Sequence, residues 1–147
     1  MASGSCAAID ELPARPLRVL TTARTAVLAT VSADGSPHVV PVCFAVRASE
    51  VVTAVDHKPK TEGRPARLRN IERDPRTALL VHHYSEDWDR LAWIMLRCRA
   101  RLEPPGYGRE VLIPRYEQYR SAPPVGEVIA LEPHRILWWT YSGDTPS

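Results

Sequence analysis

Apolar and polar positions change rhythm several times along this chain. Between residues 10 and 23, Leu17 and Leu20 follow Pro13 and Pro16, which predicts a short N-terminal helix with Asp10 near its start. The period then drops to two. Residues 26–31 read as a strand, Asp34-Gly35 as a tight turn, and residues 37–46 as a longer strand. Asp-Gly supplies the positive φ that such a turn needs. Arg47-Ala48-Ser49 makes a second turn, and residues 51–55 form a third, β-branched strand. A basic segment follows, ending in a short helix with Pro65 in its first turn, and Asp74-Pro75 stops that helix. Residues 77–84, 93–103 and 134–141 are the fourth, fifth and sixth strands. Pro104-Pro105-Gly106 breaks the chain, and residues 110–119 read as helical with Pro114 as an interruption.

Six strands joined by short turns, with helices only at the margins, predict a mainly β domain: a closed or nearly closed antiparallel barrel. At 147 residues the chain makes one domain, expected to run from 10 to 147. Residues 1–9 are mostly small or polar and are expected to be disordered.

Composition narrows the function classes. The net charge of +2 is too small to argue for nucleic acid or an acidic membrane. Its distribution says more: residues 57–76 carry seven Lys/Arg against three acids, a local +4 that leaves −2 for the rest. Cys6, Cys43 and Cys98 are odd in number and form no C-x-x-C, which fits a reducing cytoplasm and argues against a disulfide framework or zinc site. No signal-peptide pattern or membrane-length apolar run is present, so a cytoplasmic protein with no membrane or nucleic-acid partner is expected.

The chemistry concentrates after the third strand. In Asp56-His57-Lys58-Pro59-Lys60, two lysines flank a proline, and Arg64, Arg67 and Arg69 lie just beyond. A phosphate needs several donors converging on one point, ideally near a helix N-terminus. A strand end feeding a basic turn and then a helix provides that arrangement; a solvated basic loop is the other reading of the same residues.

The surrounding pattern decides between them. Ala29-Thr30-Val31, the run from Asp34 to Val42, the run from Val52 to Lys60, Leu68-Arg69-Asn70-Ile71 and Asp74-Pro75-Arg76 resemble the pyridoxamine-phosphate-oxidase-like superfamily. The resemblance is to its flavin/deazaflavin oxidoreductase branch, and it continues through Tyr84, Asp87-Trp88, Leu91, Trp93, Tyr116-x-x-Tyr119, Val128 to Leu131 and Trp138-Trp139. It implies a split-barrel homodimer with two cofactor sites at the subunit interface. By position, Lys58 and Lys60 match the basic phosphate-binding residues, and Thr53 the strand along the phosphate or ribityl tail. Val40, Pro41 and Val42 match the strand whose backbone faces the ring, and Arg67 and Asn70 the helix bordering the phosphate or an acidic tail. The cofactor implied is coenzyme F420, with FMN as the alternative. The activity is hydride transfer to or from a small conjugated substrate, with a non-catalytic carrier as a third reading. The number of arginines beyond Lys60 favours the longer, more anionic deazaflavin.

Other residues stay open. Tyr84, Trp88, Trp93 and Trp139 line a substrate slot or an interface, or else pack the barrel. Adjacent Trp138 and Trp139 must point to opposite faces of their strand. His38, His57, His82, His83, Tyr84 and Tyr116 are available as proton donors, and nothing in the sequence selects one. Glu86, Asp87 and Asp89 near His82 and His83 lack metal-ligand spacing, so no metal is expected. Walker, G-x-G-x-x-G, G-x-S-x-G and H-E-x-x-H motifs are absent.

Overall fold

A computed structural model describes residues 1–55 and 63–142. Its first helix, α1 (Ala14–Thr22), starts directly after Pro13 and tolerates Pro16 because the first-turn N–H groups have no intrahelical acceptor. It buries Pro16 and Leu20. Strand β2 (Ala26–Val31) alternates strictly, with Ala26, Leu28 and Thr30 buried, and pairs antiparallel with β3 (Pro37–Val42). The predicted turn joins them: Gly35 has φ +84, and Ser36 N–H donates to Asp34 Oδ1 at 2.9 Å.

The strand expected over 37–46 is two strands. The ladder stops after Val42, and the chain turns a corner at Cys43-Phe44 before β4 (Ala45–Arg47). Phe44 is fully buried, and the Tyr116 hydroxyl takes over as its hydrogen-bond partner, accepting from Phe44 N–H at 3.0 Å. The same oxygen lies 3.0 Å from the Phe44 carbonyl and 2.9 Å from that of Arg24, the acceptors for its single proton. Ala48, with φ +52, turns β4 into β5 (Glu50–Ala54). All of β5 is buried because it is covered on both faces, which accounts for its lack of polar–apolar alternation.

Helix α2 (Ala66–Arg73) follows Pro65, buries Leu68, Asn70 and Ile71, and stops at Asp74 ahead of Pro75. Strands β6 (Arg76–His83) and β7 (Ala92–Glu103) form the next hairpin. The helix expected over 110–119 is two short ones, α3 (Arg109–Leu112) and α4 (Glu117–Ser121). Pro114 cannot continue the first, and Tyr116 is extended. The last strand, β8 (Val128–Thr140), begins six residues before the predicted start. Its early half was obscured because Val128 to Leu131 are all buried and the register slips by one residue near Pro133.

Residues 2–6, expected to be disordered, form strand β1 (Ala2–Cys6) on β8. The described residues therefore hold eight strands where six were predicted. Every pairing is antiparallel, in the order β3-β2-β6-β7-β8-β5-β4. β8 is the hub: β7 runs along one edge, while the other carries β5 on its first half and β1 on its second. The two ends of the sheet, β3 and β4, are joined by Cys43-Phe44 alone, so the sheet curls until its ends nearly meet. Leu28, Leu79, Ile94, Leu96, Ile129 and Ile136 fill the inside, each contributing about 1.5–3 kcal/mol by burial. A second cluster, with Val52, Leu112, Tyr116, Tyr119 and Ala130, lies under α3 and α4.

Candidate functional site

The side chains on the outside of the curled sheet form rows. Pro41, Val27, Leu80, Met95 and Leu137 occupy one transverse row across five neighbouring strands, each in register with the next. Pro41 is exposed and the other four only half-buried. In the row towards one end lie His82, Trp93 and Trp139. In the row towards the other lie Val39, Ala29, Ala78, Arg97 and Arg135, and beyond them Arg76, Arg99 and Glu132. The helices pack elsewhere: α1 and α2 bury Leu20, Leu68 and Ile71 in the main core, while Leu112 and Tyr119 belong to the second cluster. The face thus grades from aromatic through apolar to basic.

Trp138 and Trp139 point to opposite sides, as the strand period requires. Trp138 packs against the main core and over Gly4, and Trp139 joins the outer face. Tyr84 and Trp88 are 67% and 63% exposed. Trp88 meets Tyr141 edge-on at 6.2 Å, and Tyr141 meets Trp139 in the same way at 6.3 Å. Tyr84 meets His82 at 5.9 Å. The structure therefore gathers Tyr84, Trp88, Trp93 and Trp139 at one end of one face, and adds Tyr141.

This end is held from behind by Arg15. Its guanidinium donates to the Ser142 carbonyl at 2.7 Å and to the Asp89 carbonyl at 2.5 Å. Ser142 Oγ donates to the same Asp89 carbonyl at 2.8 Å, and Tyr141 N–H donates to Leu91 O at 2.9 Å. Tyr141 and the Trp88 turn are thereby locked together. Of the histidines, His82 shares the Trp93 row, whereas His38 pairs with Thr30 on the inner side and keeps Nδ1 buried without a partner.

The basic half of the predicted site is only framed. Lys58 and Lys60 lie outside the described residues. Before them, Val55 N–H donates to Glu127 O at 3.0 Å. After them, Arg64 makes a two-pronged pair with Glu127 at 2.9 and 2.8 Å and a second with Glu72 at 2.5 Å. Those carboxylates, Glu127 foremost, push the Arg64 guanidinium pKa up. Arg69 donates to the Arg64 carbonyl, and Arg73 to Val31 O at 3.1 Å and Asn70 Oδ1 at 3.0 Å. Asn70 is buried and its amide donates to Thr30 Oγ1 at 3.0 Å, so both ends of that side chain serve the protein. Arg67 is half-buried in the first turn of α2. Thr53 is buried on the Ile129 side of β5. Val40 and Val42 face inward, and Pro41 faces outward.

Sequence reasoning missed a charge knot at the β4–β5 turn. Glu50, 8% exposed, accepts from Tyr107 Oη at 2.6 Å, Arg101 at 2.7 Å and Arg47 at 3.2 Å. Burial pushes its carboxyl up, but the bonds from Tyr107, Arg101 and Arg47 outweigh it and leave it below the ordinary range. The knot pins the Pro104–Glu110 link against the sheet. Beside that link a pocket of about 300 Å³ opens among Ala54, Tyr107, Leu112, Pro124 and Val128, next to the end of β5. Cys98 is buried, and its thiol is pushed up to about 12 by desolvation. Among the described residues no three His, Cys, Asp or Glu side chains converge as metal ligands, and no helix is long and apolar enough to cross a membrane.

A curled antiparallel sheet with a two-sided hub strand and a graded outer face is a split β-barrel of the flavin-binding type. Residues 14–140 match the pyridoxamine 5'-phosphate oxidase family, and the chain belongs to it. It is 30% identical over 118 residues to a 5a,11a-dehydrotetracycline/5a,11a-dehydrooxytetracycline reductase of Streptomyces rimosus, covering 80% of this chain and 75% of that protein. Among solved structures, an F420 reductase superposes with a TM-score of 0.67 at 22% identity, over 85% of this chain and 98% of the other. A FAD-binding protein from Mesorhizobium loti superposes with a TM-score of 0.64 at 15% identity, over 94% and 97%. These two likenesses concern the fold.

Proposed function

We propose that this protein is an oxidoreductase that binds coenzyme F420 between two copies of itself and moves hydride between that cofactor and a small conjugated substrate. The observation that carries the reading is the grading of the outer face. Along β7 and β8 the aromatic end at Trp93 and Trp139 is about 30 Å from the end where β5 leads into the lysine segment. Within one subunit the end of β5 and the aromatic end therefore stand apart. A two-fold axis lying along the Val27–Leu80–Met95–Leu137 row lays the basic end of one copy over the aromatic end of the other. An axis along the strands instead opposes Arg97 and Arg135 to their own copies, which like-charge repulsion disfavours.

In that arrangement Lys58 and Lys60 hold the phosphate, and Trp93, Trp139 and Tyr84 give flat apolar walls to a planar ring. The Pro41 edge closes the slot, and Arg15 keeps the aromatic end in place. When bound, the cofactor supplies the hydride, and the chain supplies orientation and exclusion of water. The named activity of the Streptomyces relative supports reduction of a conjugated polycycle. The F420 reductase neighbour supports the deazaflavin, while the FAD-binding neighbour keeps FMN as the second reading.

The test is a parallel titration of purified protein with F420 and FMN, followed by fluorescence quenching, with mass measured by light scattering. Tight F420 binding by a dimer is the expected result. Preferential FMN binding supports the second reading, and a monomer that binds neither overturns both.

A further inference from the structure

Most arginines here are occupied. Arg15, Arg24, Arg69, Arg73, Arg115 and Arg120 donate to backbone carbonyls. Arg47, Arg64, Arg76, Arg90 and Arg101 pair with carboxylates. Arg18, Arg97, Arg99, Arg109 and Arg135 do neither among the described residues; of these, Arg97, Arg99 and Arg135 are exposed together on one face of the sheet. Arg97 and Arg135 stand directly opposite each other across β7 and β8. A like-charge cross-strand pair weakens a sheet. Glu132, in register with Arg99, makes no ion pair with it.

The pair also flanks the irregularity in the β7–β8 ladder, where Arg97 matches Arg135 but Cys98 matches Pro133, leaving His134 as the extra residue. Such bulges re-aim side chains and recur beside functional sites. One row away begins the apolar band proposed above as the seam between copies. Covering that band brings two unpaired guanidiniums out of bulk water, which is costly unless an anion meets them.

We propose that Arg97 and Arg135, aided by Arg99, form an oxyanion seat in the intersubunit cleft, taking phosphate or carboxylate groups of the bound cofactor or substrate. This rests on the cofactor-binding reading. It adds to the positive charge expected from the arginines beyond Lys60, of which Arg64, Arg69 and Arg73 are already engaged within the chain. Two forked guanidiniums on adjacent strands suit an anion with several oxygens.

The test is R97Q/R135Q, which removes repulsion and breaks no pair, so its melting temperature should match or exceed the wild type's. Affinities for FMN, riboflavin, F420 and the tail-less deazaflavin chromophore are compared in both proteins, alongside inorganic pyrophosphate as a thermal-shift probe. About tenfold or greater weakening for the anionic ligands, with riboflavin and the bare chromophore unchanged, is expected. Loss for both FMN and F420 points to phosphate. Loss for F420 alone points to its carboxylate tail. A wild type that binds no flavin or deazaflavin defeats the cofactor reading, while pyrophosphate stabilisation lost in the variant still reports the seat. Equal ligand affinities and equal pyrophosphate shifts in the two proteins overturn it, as does loss confined to dimerisation.

Discussion

The indole of Trp138 lies over Gly4, so close that a Cβ on residue 4 would come within 2.6 Å of its Cζ2. Gly4 and Trp138 are register partners on β1 and β8. Replacing Gly4 by alanine must move either a rigid ring packed on the core or the whole of β1. We expect Gly4→Ala to cost about 1–3 kcal/mol in chemical denaturation. It should also make residues 2–6 sensitive to limited protease; unchanged stability would show that β1 shifts freely.

Tyr116 offers a second measurement. Its hydroxyl serves the Phe44 backbone at the corner where β3 becomes β4, and among the described residues it is the acceptor for that buried N–H. Tyr116→Phe keeps the ring and strands a buried backbone donor, which costs about 1–3 kcal/mol. The denaturant midpoint should fall with the m-value unchanged.

Acid should loosen the β4–β5 turn. The Glu50 carboxyl is held below its ordinary value of 4.5 in the folded chain. A depressed folded pKa means the stabilisation is complete above 4.5 and is lost as pH falls through the lower folded value. Asp74, bonded by Arg76 and brought to about 2, acts in the same direction. Glu50→Gln should lower stability at neutral pH and flatten its decline in acid, as read by melting temperature from pH 7 to 2.

The apolar row makes a prediction about assembly. Leu80→Asp places a charge at the middle of that row without touching the core, because the Leu80 side chain faces outward. Light scattering should show a fold-intact monomer with impaired cofactor binding. A dimer of undiminished stability would move the seam to another face.

For the lysines, replacing Lys58 and Lys60 together by alanine should weaken F420 or FMN binding by at least ~2 kcal/mol through lost charge-assisted bonds. Fluorescence titration of the folded double variant decides it, with unchanged affinity arguing against the phosphate role.

Local chemistry in the sequence carried much of this fold. Asp34-Gly35, Asp74-Pro75 and the alternation of residues 26–31 each specify their geometry within a few residues, and each is where it was expected. β1 was illegible because Ser3, Gly4 and Ser5 carry no apolar period; the strand exists because β8 offers a free edge and Trp138 a ring to rest on Gly4. The early half of β8 was hidden by burial on both faces. For the site, residue type pointed to Tyr84, Trp88, Trp93 and Trp139. Their convergence depends on register between strands some 45 positions apart, which no local pattern encodes. The opposition of Arg97 and Arg135 has the same origin, although alternation from Trp93 through Met95 to Arg97 already placed those three on one face.

The hub position of β8 has a consequence for biosynthesis. β1, β5 and β7 all precede it in the order of translation, yet each relies on it for hydrogen bonds. A ribosome-bound chain must therefore carry several incomplete strand edges until residues 128–140 have left the exit tunnel. Such long-range pairing slows folding and exposes sticky backbone meanwhile. Chaperone dependence during synthesis should consequently be set by this late strand more than by any earlier part of the barrel.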